Sequence, residues 1–435
     1  MSKTIGVGLV GFGTVGAGVV DGLQRNRGKI SERLDVEVEL RRIVDLDITT
    51  DRGVTLDPSL LTTDVSQVLG NPDIDIVVEL VGGTGFAKEV VTRALQAGQS
   101  VVTANKKLLA EYGRELFPLA EKMGVDLYFG ASVGGAIPII RALREGLAGN
   151  KVESILGIVN GTCNYILSRM ESEGTSFEVA LEAAQKAGYA EADPTLDVDG
   201  FDTLHKASIL AALAYGIQPD TAELPVSGIR GTIEARDFAY ARELGYCIKL
   251  LGIVRGDESE VEVRVAPTLV ARGNMLASVN GVFNAVMVKS DLADRTLYYG
   301  RGAGRLPTAS TVISDIADVA FNRLHGSPLK VIIAKHATPV KLRAFADVQC
   351  SHYVRLDVQD RVGAMASIMA IFAAHNVSIA SMLQKETAAT QTEGTVPVVI
   401  LTHAARMGDI EAALSEIACL DVVSGKPVRL GMEGE

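Results

Sequence analysis

The segment around position 206 contains residue types that can bind a cation and exchange a proton. Asp199, Asp202 and Lys206 are spaced i, i+3 and i+7, so they share one face if the segment is helical. The apolar run 207–215 that follows predicts a buried helix, and Glu191 adds another carboxylate nearby in the chain. Charged groups on the first turn of a buried helix usually face a pocket or each other. The alternative, an exposed Asp202–Lys206 pair that contributes about 0.3–0.5 kcal/mol, stays open.

A second lysine follows a predicted strand. Lys106 lies in the sequence Thr-Ala-Asn-Lys-Lys at 103–107, directly after the strand predicted at 100–103. Ligands of open α/β sheets bind at the carboxyl ends of the strands, where Lys106 could reach them. The alternative is that Lys106 and Lys107 are surface charges at the start of a helix.

The glycine-rich sequence at 11–16 fits G-x-G-x-x-G between a predicted strand and a predicted helix. Gly11 permits the tight turn, Gly13 lets backbone amides approach a pyrophosphate, and Gly16 allows close packing of the helix on the strand. This context predicts a dinucleotide site rather than an ordinary turn. The expected contacts come from Gly11, Phe12, Gly13, Thr14, Val15 and Gly16.

An acidic residue at the end of the second strand is expected to contact the ribose of the dinucleotide. Asp45 stands there, with Asp47 as the less favoured candidate. A carboxylate would accept hydrogen bonds from the ribose hydroxyls of NAD and repel the 2′-phosphate of NADP. Arg41 and Arg42, just upstream, could favour NADP or could be charges at the strand edge. The choice between NAD and NADP therefore stays open.

Periodicity divides the chain into three segments. Residues 1–130 alternate apolar strands with helices, which predicts a Rossmann-type α/β domain. Residues 131–326 mix long helices with later strands, as expected of an α+β domain, and we expect the last helix, about 308–325, to pack on the first domain. Residues 327–350 follow as a linker. Residues 351–435 have the order βαββαβ, which predicts a ferredoxin-like unit.

The predicted elements can be given by segment. In the first, strands are expected at 4–10, 36–44, 74–81, 100–103 and 125–129, and helices at 14–23, 86–97 and 113–123. In the second, helices are expected at 137–147, 165–173, 177–187 and 203–215, and strands at 152–159, 249–254, 261–268 and 281–289. In the third, strands are expected at 353–358, 377–383, 396–402 and from 422 onward, helices at 364–376 and 410–419, and a polar loop at 387–395.

Length and charge exclude several classes of partner. The chain has 435 residues, a net charge of −11 and a sequence pI of about 5.2. This length predicts two or three domains. Without a basic run, the chain lacks the cationic footprint that nucleic acid and anionic membranes require. No apolar run reaches the roughly 18 residues of a membrane helix, and we expect no signal peptide. The scattered cysteines fit a reducing compartment, and we expect a cytoplasmic protein; these cysteines are Cys163, Cys247, Cys350 and Cys419.

Several stretches carry these residues in a recognisable order. They are GFGTVG at 11–16, TANKK at 103–107, ASVGGAIP at 131–138, NGTCNYIL at 160–167, GYAEADPTLDVDGFDTLHK at 188–206 and GRGAGRLPTAS at 300–310. Together they resemble the homoserine dehydrogenase family over about residues 1–325. Residues 352–430 similarly resemble an ACT domain, including the Asp-Arg-Val-Gly turn at 360–363.

The resemblance implies an NAD(P)-dependent enzyme that interconverts L-aspartate 4-semialdehyde and L-homoserine. This reaction belongs to the branch of aspartate-derived biosynthesis that leads to threonine, methionine and isoleucine. Lys206 would donate the proton to the aldehyde oxygen, and Lys106 would be a second lysine at the cofactor and substrate. Glu191 and Asp202 would bind the ammonium group of the substrate. The implied cofactor contacts beyond the glycine-rich turn and Asp45 are Thr103, Lys106, Gly188 and Gly302.

The resemblance also implies a cation and an effector. The family binds a sodium-like monovalent cation through backbone oxygens, which map to Gly130, Val133, Gly135 and Ile137, and some members have an acidic residue at the first of these positions. Threonine is expected to bind the ACT domain near 360–363 and 376–378 and to inhibit a homodimer or homotetramer whose contacts involve 131–326. The alternative is an ACT domain used only for oligomerisation.

Two other functions fit part of the sequence. Cys163 could be the nucleophile of an aldehyde dehydrogenase, but no base is predicted nearby and a buried structural thiol is the favoured interpretation. A non-catalytic dinucleotide sensor would need no proton-exchanging lysine beside carboxylates. The combination of Glu191, Asp202 and Lys206 therefore favours an enzyme.

Overall fold

A computed structural model describes residues 3–328, 339–384 and 394–434, and these divide into two compact units. The first unit takes the described residues of 1–155, 205–224 and 283–340. The second takes those of 156–204, 225–282 and 341–435. The domain bounds expected from the sequence follow motifs rather than spatial compactness, and they stay a prediction.

The chain up to residue 147 alternates strands with helices. The strands are β1 (Lys3–Val10), β2 (Val36–Val44), β3 (Leu61–Thr62), β4 (Ile76–Glu79), β5 (Ser100–Thr103) and β6 (Leu127–Tyr128). The helices are α1 (Thr14–Leu34), α2 (Gly85–Gln96), α3 (Lys106–Met123) and α4 (Ile139–Arg141), which continues as a π-helical turn at Ala142–Gly146. The strands pair in parallel in the order β3-β2-β1-β4-β5-β6, which confirms the predicted Rossmann-type sheet.

The middle of the chain has the predicted mixture of helices and strands. The helices are α5 (Gly161–Glu173), α6 (Phe177–Lys186), α7 (Thr195–Val198), α8 (Phe201–Tyr215), α9 (Ala235–Glu243) and α10 (Arg305–His325). The strands are β7 (Val152–Ile158), β8 (Tyr246–Gly256), β9 (Glu260–Ala271), β10 (Phe283–Ser290) and β11 (Asp294–Arg301). β8 pairs with β9, and β10 with β11, both in antiparallel register. Short 3₁₀ turns occupy Pro58–Leu60, Val65–Gln67, Gly130–Ser132, Thr221–Glu223, Met275–Ser278 and Phe345–Asp347.

The C-terminal part has the expected βαββαβ order. Its elements are β12 (Lys341–Leu342), β13 (Gln349–Gln359), α11 (Ala364–Ala374), β14 (Ile379–Gln384), β15 (Thr395–Thr402), β16 (Ala405–Arg406), α12 (Met407–Ile417) and β17 (Val423–Glu433). The antiparallel order β17-β13-β15-β14 confirms the ferredoxin-like unit. Residues 329–338 of the expected linker, and the part of the expected polar loop up to 393, lie outside the described residues.

The C-terminal sheet is continuous with strands of the preceding segment. β17 pairs in parallel with β9, so the second unit contains the strand order β8-β9-β17-β13-β15-β14. β12, which lies in the expected linker, also pairs with β9. Backbone hydrogen bonds therefore connect the ferredoxin-like unit directly to β9.

Each unit has an apolar core that the sequence periodicity produces. In the first unit, Ala309, Val312, Ile316 and Val319 form one helical face of α10, and this face packs in the same cluster as β1 and β4. In the second unit, the alternating apolar residues of β13 pack against α11 and α12. Within the described ranges, no helix is both long and apolar enough to cross a bilayer.

Candidate active site

The parallel sheet brings the expected cofactor residues to one edge. The last residues of β2, β1, β4 and β5 are register partners in a single row. Gly11 and Asp45 directly follow two of these positions, Thr103 is itself one of them, and Lys106 begins α3 three residues later. These residues therefore lie along the carboxyl edge of the sheet, where α/β proteins bind ligands.

Glycine is favoured at three positions of the turn after β1, for a different reason at each. Gly11 has a φ of +103°, and a Cβ there would lie 2.6 Å from the carbonyl carbon of Leu80. A Cβ on Gly16 would lie 2.2 Å from the carbonyl oxygen of Gly11. At Gly13 a Cβ would meet no atom within 4 Å, so packing inside the protein does not require glycine there. The close approach of a ligand to the backbone is the remaining reason for glycine at this position.

Asp45 contacts this turn, whereas Asp47 does not. Asp45 Oδ2 accepts the N–H of Phe12 at 2.5 Å, and its Oδ1 accepts the N–H of Asp47 at 2.9 Å. Asp47 instead accepts the N–H of Thr50 at 3.0 Å and pairs with Arg52 at 3.0 Å. The hydrogen bonds from Thr50 lower the pKa of Asp47 below its usual range. Asp45 is therefore the carboxylate placed beside the glycine-rich turn.

A buried carboxylate fixes the end of β5 and the start of α3. Glu79 is fully buried, and its Oε2 accepts the hydroxyl of Thr103 at 2.6 Å. The Thr103 oxygen in turn accepts the N–H of Asn105 at 3.0 Å. Asn105 Oδ1 accepts the N–H of Leu108 at 3.0 Å, so it caps α3 and sets the position of half-buried Lys106. Sequence reasoning singled out Thr103 and Lys106 but missed Glu79, whose polar character inside an apolar strand was the available signal.

The loop expected to bind a cation packs against α10 and Gly302. The N–H of Gly130 donates to Asp315 Oδ2 at 2.7 Å, and Thr311 donates its hydroxyl to the carbonyl of Gly135 at 2.7 Å. A Cβ on Gly135 would lie 2.5 Å from the carbonyl oxygen of Gly302. Burial raises the pKa of Asp315 to about 7.

The donor chemistry of this loop fits a monovalent cation. Backbone carbonyls are hard oxygen donors of the kind that sodium-like ions accept. The buried Asp315 carboxylate against the loop would balance a positive charge. Among the described residues, no cluster of His, Cys, Asp and Glu side chains could hold a metal ion. The backbone oxygens of the loop therefore have no competing side-chain site in the described part of the chain. The four expected donor residues are all buried, namely Gly130, Val133, Gly135 and Ile137.

The prediction that Asp199 shares a helical face with Asp202 and Lys206 is wrong. Gly200 has a φ of +92°, which breaks the helix, and α8 begins at Phe201. Asp199 instead pairs with Arg230 at 3.1 Å. Asp202 and Lys206 both lie on α8, one turn apart, and their relative exposures are only 5% and 8%. The expected exposed ion pair is therefore excluded for these two residues.

Asp202 is held by an amide from another helix start. Asn160 Nδ2 donates to Asp202 Oδ2 at 2.8 Å and to Asp197 Oδ1 at 2.7 Å. Asn160 Oδ1 accepts the N–H of Cys163 at 2.8 Å and so caps α5. Sequence reasoning missed Asn160 and Asp197 in this role, because the pair is separated by 37 residues and only the fold brings it together.

The remaining candidates of the second unit lie on the loop after α6 and on α5. Gly188 has a φ of +73°, and Glu191 is exposed on the same loop, where its carbonyl accepts a hydrogen bond from Gln185 at 3.1 Å. Cys163 is fully buried, and its thiol donates to the carbonyl of Asp197 at 3.1 Å. Burial and this hydrogen bond support a structural thiol rather than a nucleophile.

Comparisons with known proteins decide the family. Family models match residues 11–130 ("Homoserine dehydrogenase, NAD binding domain"), 138–317 ("Homoserine dehydrogenase") and 352–419 ("ACT domain"). A homoserine dehydrogenase of Neisseria gonorrhoeae is 43% identical over 433 residues, which covers 98% of both chains. The chain belongs to the homoserine dehydrogenase family. It is thus an NAD(P)-dependent oxidoreductase that acts on a CH–OH group, as the sequence resemblance implied.

Solved structures of the family agree with this assignment. A homoserine dehydrogenase from Thiobacillus denitrificans superposes with a TM-score of 0.91 at 42% identity, and the match covers 99% of both chains. A hyperthermophilic archaeal homoserine dehydrogenase in complex with NADPH has a TM-score of 0.63 at 28% identity, covering 74% of this chain and 98% of that one. The archaeal homologue is thus matched almost entirely by only part of this chain.

Proposed function

We propose that the chain interconverts L-aspartate 4-semialdehyde and L-homoserine with NAD or NADP. The observation that carries this proposal is the buried Asp202 one helical turn before the buried Lys206 on α8. Four residues of helix span about 6 Å, which is comparable with the distance between the ammonium and hydroxyl ends of a four-carbon amino acid. An anion at one end and an exchangeable proton at the other match the two ends of homoserine.

The residues of the proposed site have separate roles in the reaction. A bound reduced nicotinamide supplies the hydride. The Lys206 ammonium donates a proton to the aldehyde oxygen as negative charge develops there, and in the reverse direction the neutral Lys206 amine accepts that proton. Asp202 and Glu191 bind the substrate ammonium, and Lys106, at the carboxyl edge of the sheet, binds substrate beside the cofactor. The backbone at 11–16 binds the pyrophosphate together with the N-terminus of α1, while Thr103, Gly188 and Gly302 contact the rest of the cofactor.

The proposal is tested by assaying formation of reduced nicotinamide with L-homoserine and with N-acetyl-L-homoserine, which lacks the ammonium. We expect the wild type to turn over L-homoserine and to use the acetylated compound poorly. Asp202→Asn should raise KM for L-homoserine about tenfold or more, because a charge-assisted hydrogen bond is lost. It should change the rate with the acetylated compound little. Cofactor binding without any turnover would instead support a dinucleotide sensor.

We also propose that the loop 130–137 binds a sodium-like cation that stabilises the fold. The support is the burial of the four residues that offer backbone oxygens, together with the adjacent Asp315 carboxylate. Adding sodium chloride should raise Tm more than choline chloride at the same ionic strength. Equal Tm values in the two salts would contradict the proposal.

We further propose that threonine binds the ACT domain of a homodimer or homotetramer in the cytoplasm and inhibits the reaction. Pairing of β17 with β9 supports a direct structural connection between the ACT domain and the preceding segment. Cysteines that form no disulfide within the described ranges support a reducing compartment. The rate should fall with added threonine, and Asp360→Ala should weaken this inhibition while leaving the uninhibited rate unchanged. Insensitivity of the wild type to threonine would leave oligomerisation as the role of the domain, and light scattering would give the subunit number.

A further inference from the structure

Asn160 has its orientation fixed by the helix that it caps. The residue lies between β7 and α5 and is 5% exposed. Its Oδ1 accepts the N–H of Cys163 at 2.8 Å. A backbone N–H can only donate, so the oxygen must occupy this end of the amide. The amide nitrogen therefore points away from α5.

That nitrogen contacts two carboxylates from successive helices. Asn160 Nδ2 donates to Asp197 Oδ1 at 2.7 Å, near the end of α7, and to Asp202 Oδ2 at 2.8 Å, in the first turn of α8. A primary amide has two N–H donors, so one side chain can satisfy both contacts. Three helix ends are thus tied together at Asn160.

The amide orients these carboxylates but cannot neutralise their charge. The two carboxylates beside one neutral nitrogen contribute a negative potential to this region. A hydrogen bond also restricts Asp202 to one rotamer and occupies one of its oxygens, which directs the other oxygen elsewhere. A substrate ammonium is a cation that such a potential attracts.

We propose that Asn160 is a positioning residue for substrate recognition, which acts by holding Asp202 in the orientation that binds the ammonium of L-homoserine. This inference rests on the proposed role of Asp202. It assigns to Asn160 no contact with the reacting atoms. It predicts an effect on KM for the amino acid, with little effect on cofactor binding.

Asn160→Asp is the sharpest variant, because it keeps the oxygen that caps α5 and removes only the amide donors. The new carboxylate should repel Asp197 and Asp202. We expect KM for L-homoserine to rise about tenfold or more. We also expect the acidic limb of the kcat/KM profile to move to higher pH, while KM for the cofactor stays within about twofold. Unchanged KM and pH profile would overturn the inference.

Asn164→Asp provides the matched control. Asn164 is also buried and lies one turn further along the chain, but its amide donates to the carbonyls of Val279 and Gly281. It should lower Tm without raising KM for L-homoserine. An equal rise of KM in the two variants would show that the effect comes from general disruption of α5 and would overturn the inference.

A second variant covers the case in which Asn160→Asp does not fold. Asn160→Ser retains an N-cap hydroxyl but is too short to bridge both carboxylates. It should raise KM for L-homoserine severalfold with Tm close to wild type, and an unchanged KM would overturn the inference. If Asp202→Asn leaves KM unchanged, the proposed role of Asp202 has failed. If Asp202→Asn raises KM and both Asn160 variants do not, only the role of Asn160 has failed.

Discussion

At the scale of single residues, the contacts of Asp45 bear on which cofactor the enzyme uses. Its carboxylate lies at the end of β2 and accepts the N–H of Phe12 in the glycine-rich turn. Of the two arginines that could attract a 2′-phosphate, Arg41 is paired with a carboxylate, whereas Arg42 Nη1 donates to the carbonyl of Arg41 at 2.9 Å. Arg41 pairs with Glu39 at 2.9 Å, and Arg52 pairs with Asp47 at 3.0 Å. We therefore predict that the Asp45 carboxylate disfavours the 2′-phosphate of NADP.

Asp45→Asn should move the preference toward NADP. The amide retains an oxygen for the Phe12 N–H but removes the charge that repels a 2′-phosphate. We expect the ratio of kcat/KM for NAD to that for NADP to fall about tenfold. The matched control is Asp47→Asn, for which the ratio should stay near the wild-type value. A larger change of this ratio in Asp47→Asn than in Asp45→Asn would show that Asp47, and not Asp45, contacts the ribose.

The residue types of the site could be predicted from the sequence, but their contacts could not. Helical spacing and the apolar run 207–215 located Asp202 and Lys206 correctly on one buried helix. The same spacing argument failed for Asp199, because Gly200, just before the start of α8, has a positive φ that spacing does not reveal. The bridge from Asn160 depends on a long-range contact, which no local pattern encodes.

At the scale of elements, a buried ion pair connects α9 to β13. Asp237 is fully buried and accepts hydrogen bonds from Tyr353 at 2.8 Å and from Arg355 Nε at 2.6 Å. Arg355 is itself only 2% exposed. Burial raises the pKa of Tyr353 above its usual range, so the phenol remains a donor to the carboxylate. The ACT strand is therefore joined to α9 by a charge-assisted contact.

Removing the charge of Asp237 should destabilise the second compact unit. Asp237→Asn leaves the Arg355 guanidinium buried with less compensation, which costs about 3–5 kcal/mol in comparable cases. Urea unfolding followed by circular dichroism would measure the loss. The control is Asp421→Asn, whose partner Arg361 lies at 3.2 Å in a pair with side-chain exposures of 55% and 78%. The free energy of unfolding of that variant should fall by less than about 1 kcal/mol. Equal losses in the two variants would contradict the proposed importance of the buried pair.

Sequence periodicity placed most elements well where one face is buried. It ended α1 at position 23, whereas the helix continues to Leu34, because the added turns are mostly exposed and polar and carry no apolar stripe. It began α3 at 113 and missed the cap by Asn105, although an asparagine before a helix start was a usable signal. It also missed β11, which has exposed and partly buried residues only and whose strand conformation depends on pairing with β10.

At the scale of the whole molecule, stability should depend on pH through His352. This histidine is fully buried in β13. Burial, together with the positive charge of Arg429, lowers the pKa of His352 from 6.5 to about 3. Between these values the unfolded chain binds a proton that the folded chain does not. Acidification therefore favours unfolding, starting as pH falls below about 6.5 and ending near pH 3.

The His352→Asn variant tests this dependence. The free energy of unfolding of the wild type should fall by about 2 kcal/mol more than that of the variant between pH 7 and about pH 5. If the variant also loses packing free energy to the same extent at every pH, this loss does not change how its free energy of unfolding depends on pH. His403→Asn, at an exposed histidine of the same domain, should keep the wild-type slope. Parallel curves for the wild type and His352→Asn would contradict the assignment.

The central claim is that Lys206 transfers the proton while the glycine-rich turn binds the cofactor. The most direct measurement is kcat with L-homoserine for Lys206→Ala, together with the dissociation constant of the reduced cofactor from its fluorescence. We predict that kcat falls by about 10²–10⁴-fold and that the dissociation constant stays within about twofold of the wild type. Turnover close to wild type, or losses of similar size in turnover and in cofactor binding, would contradict the claim.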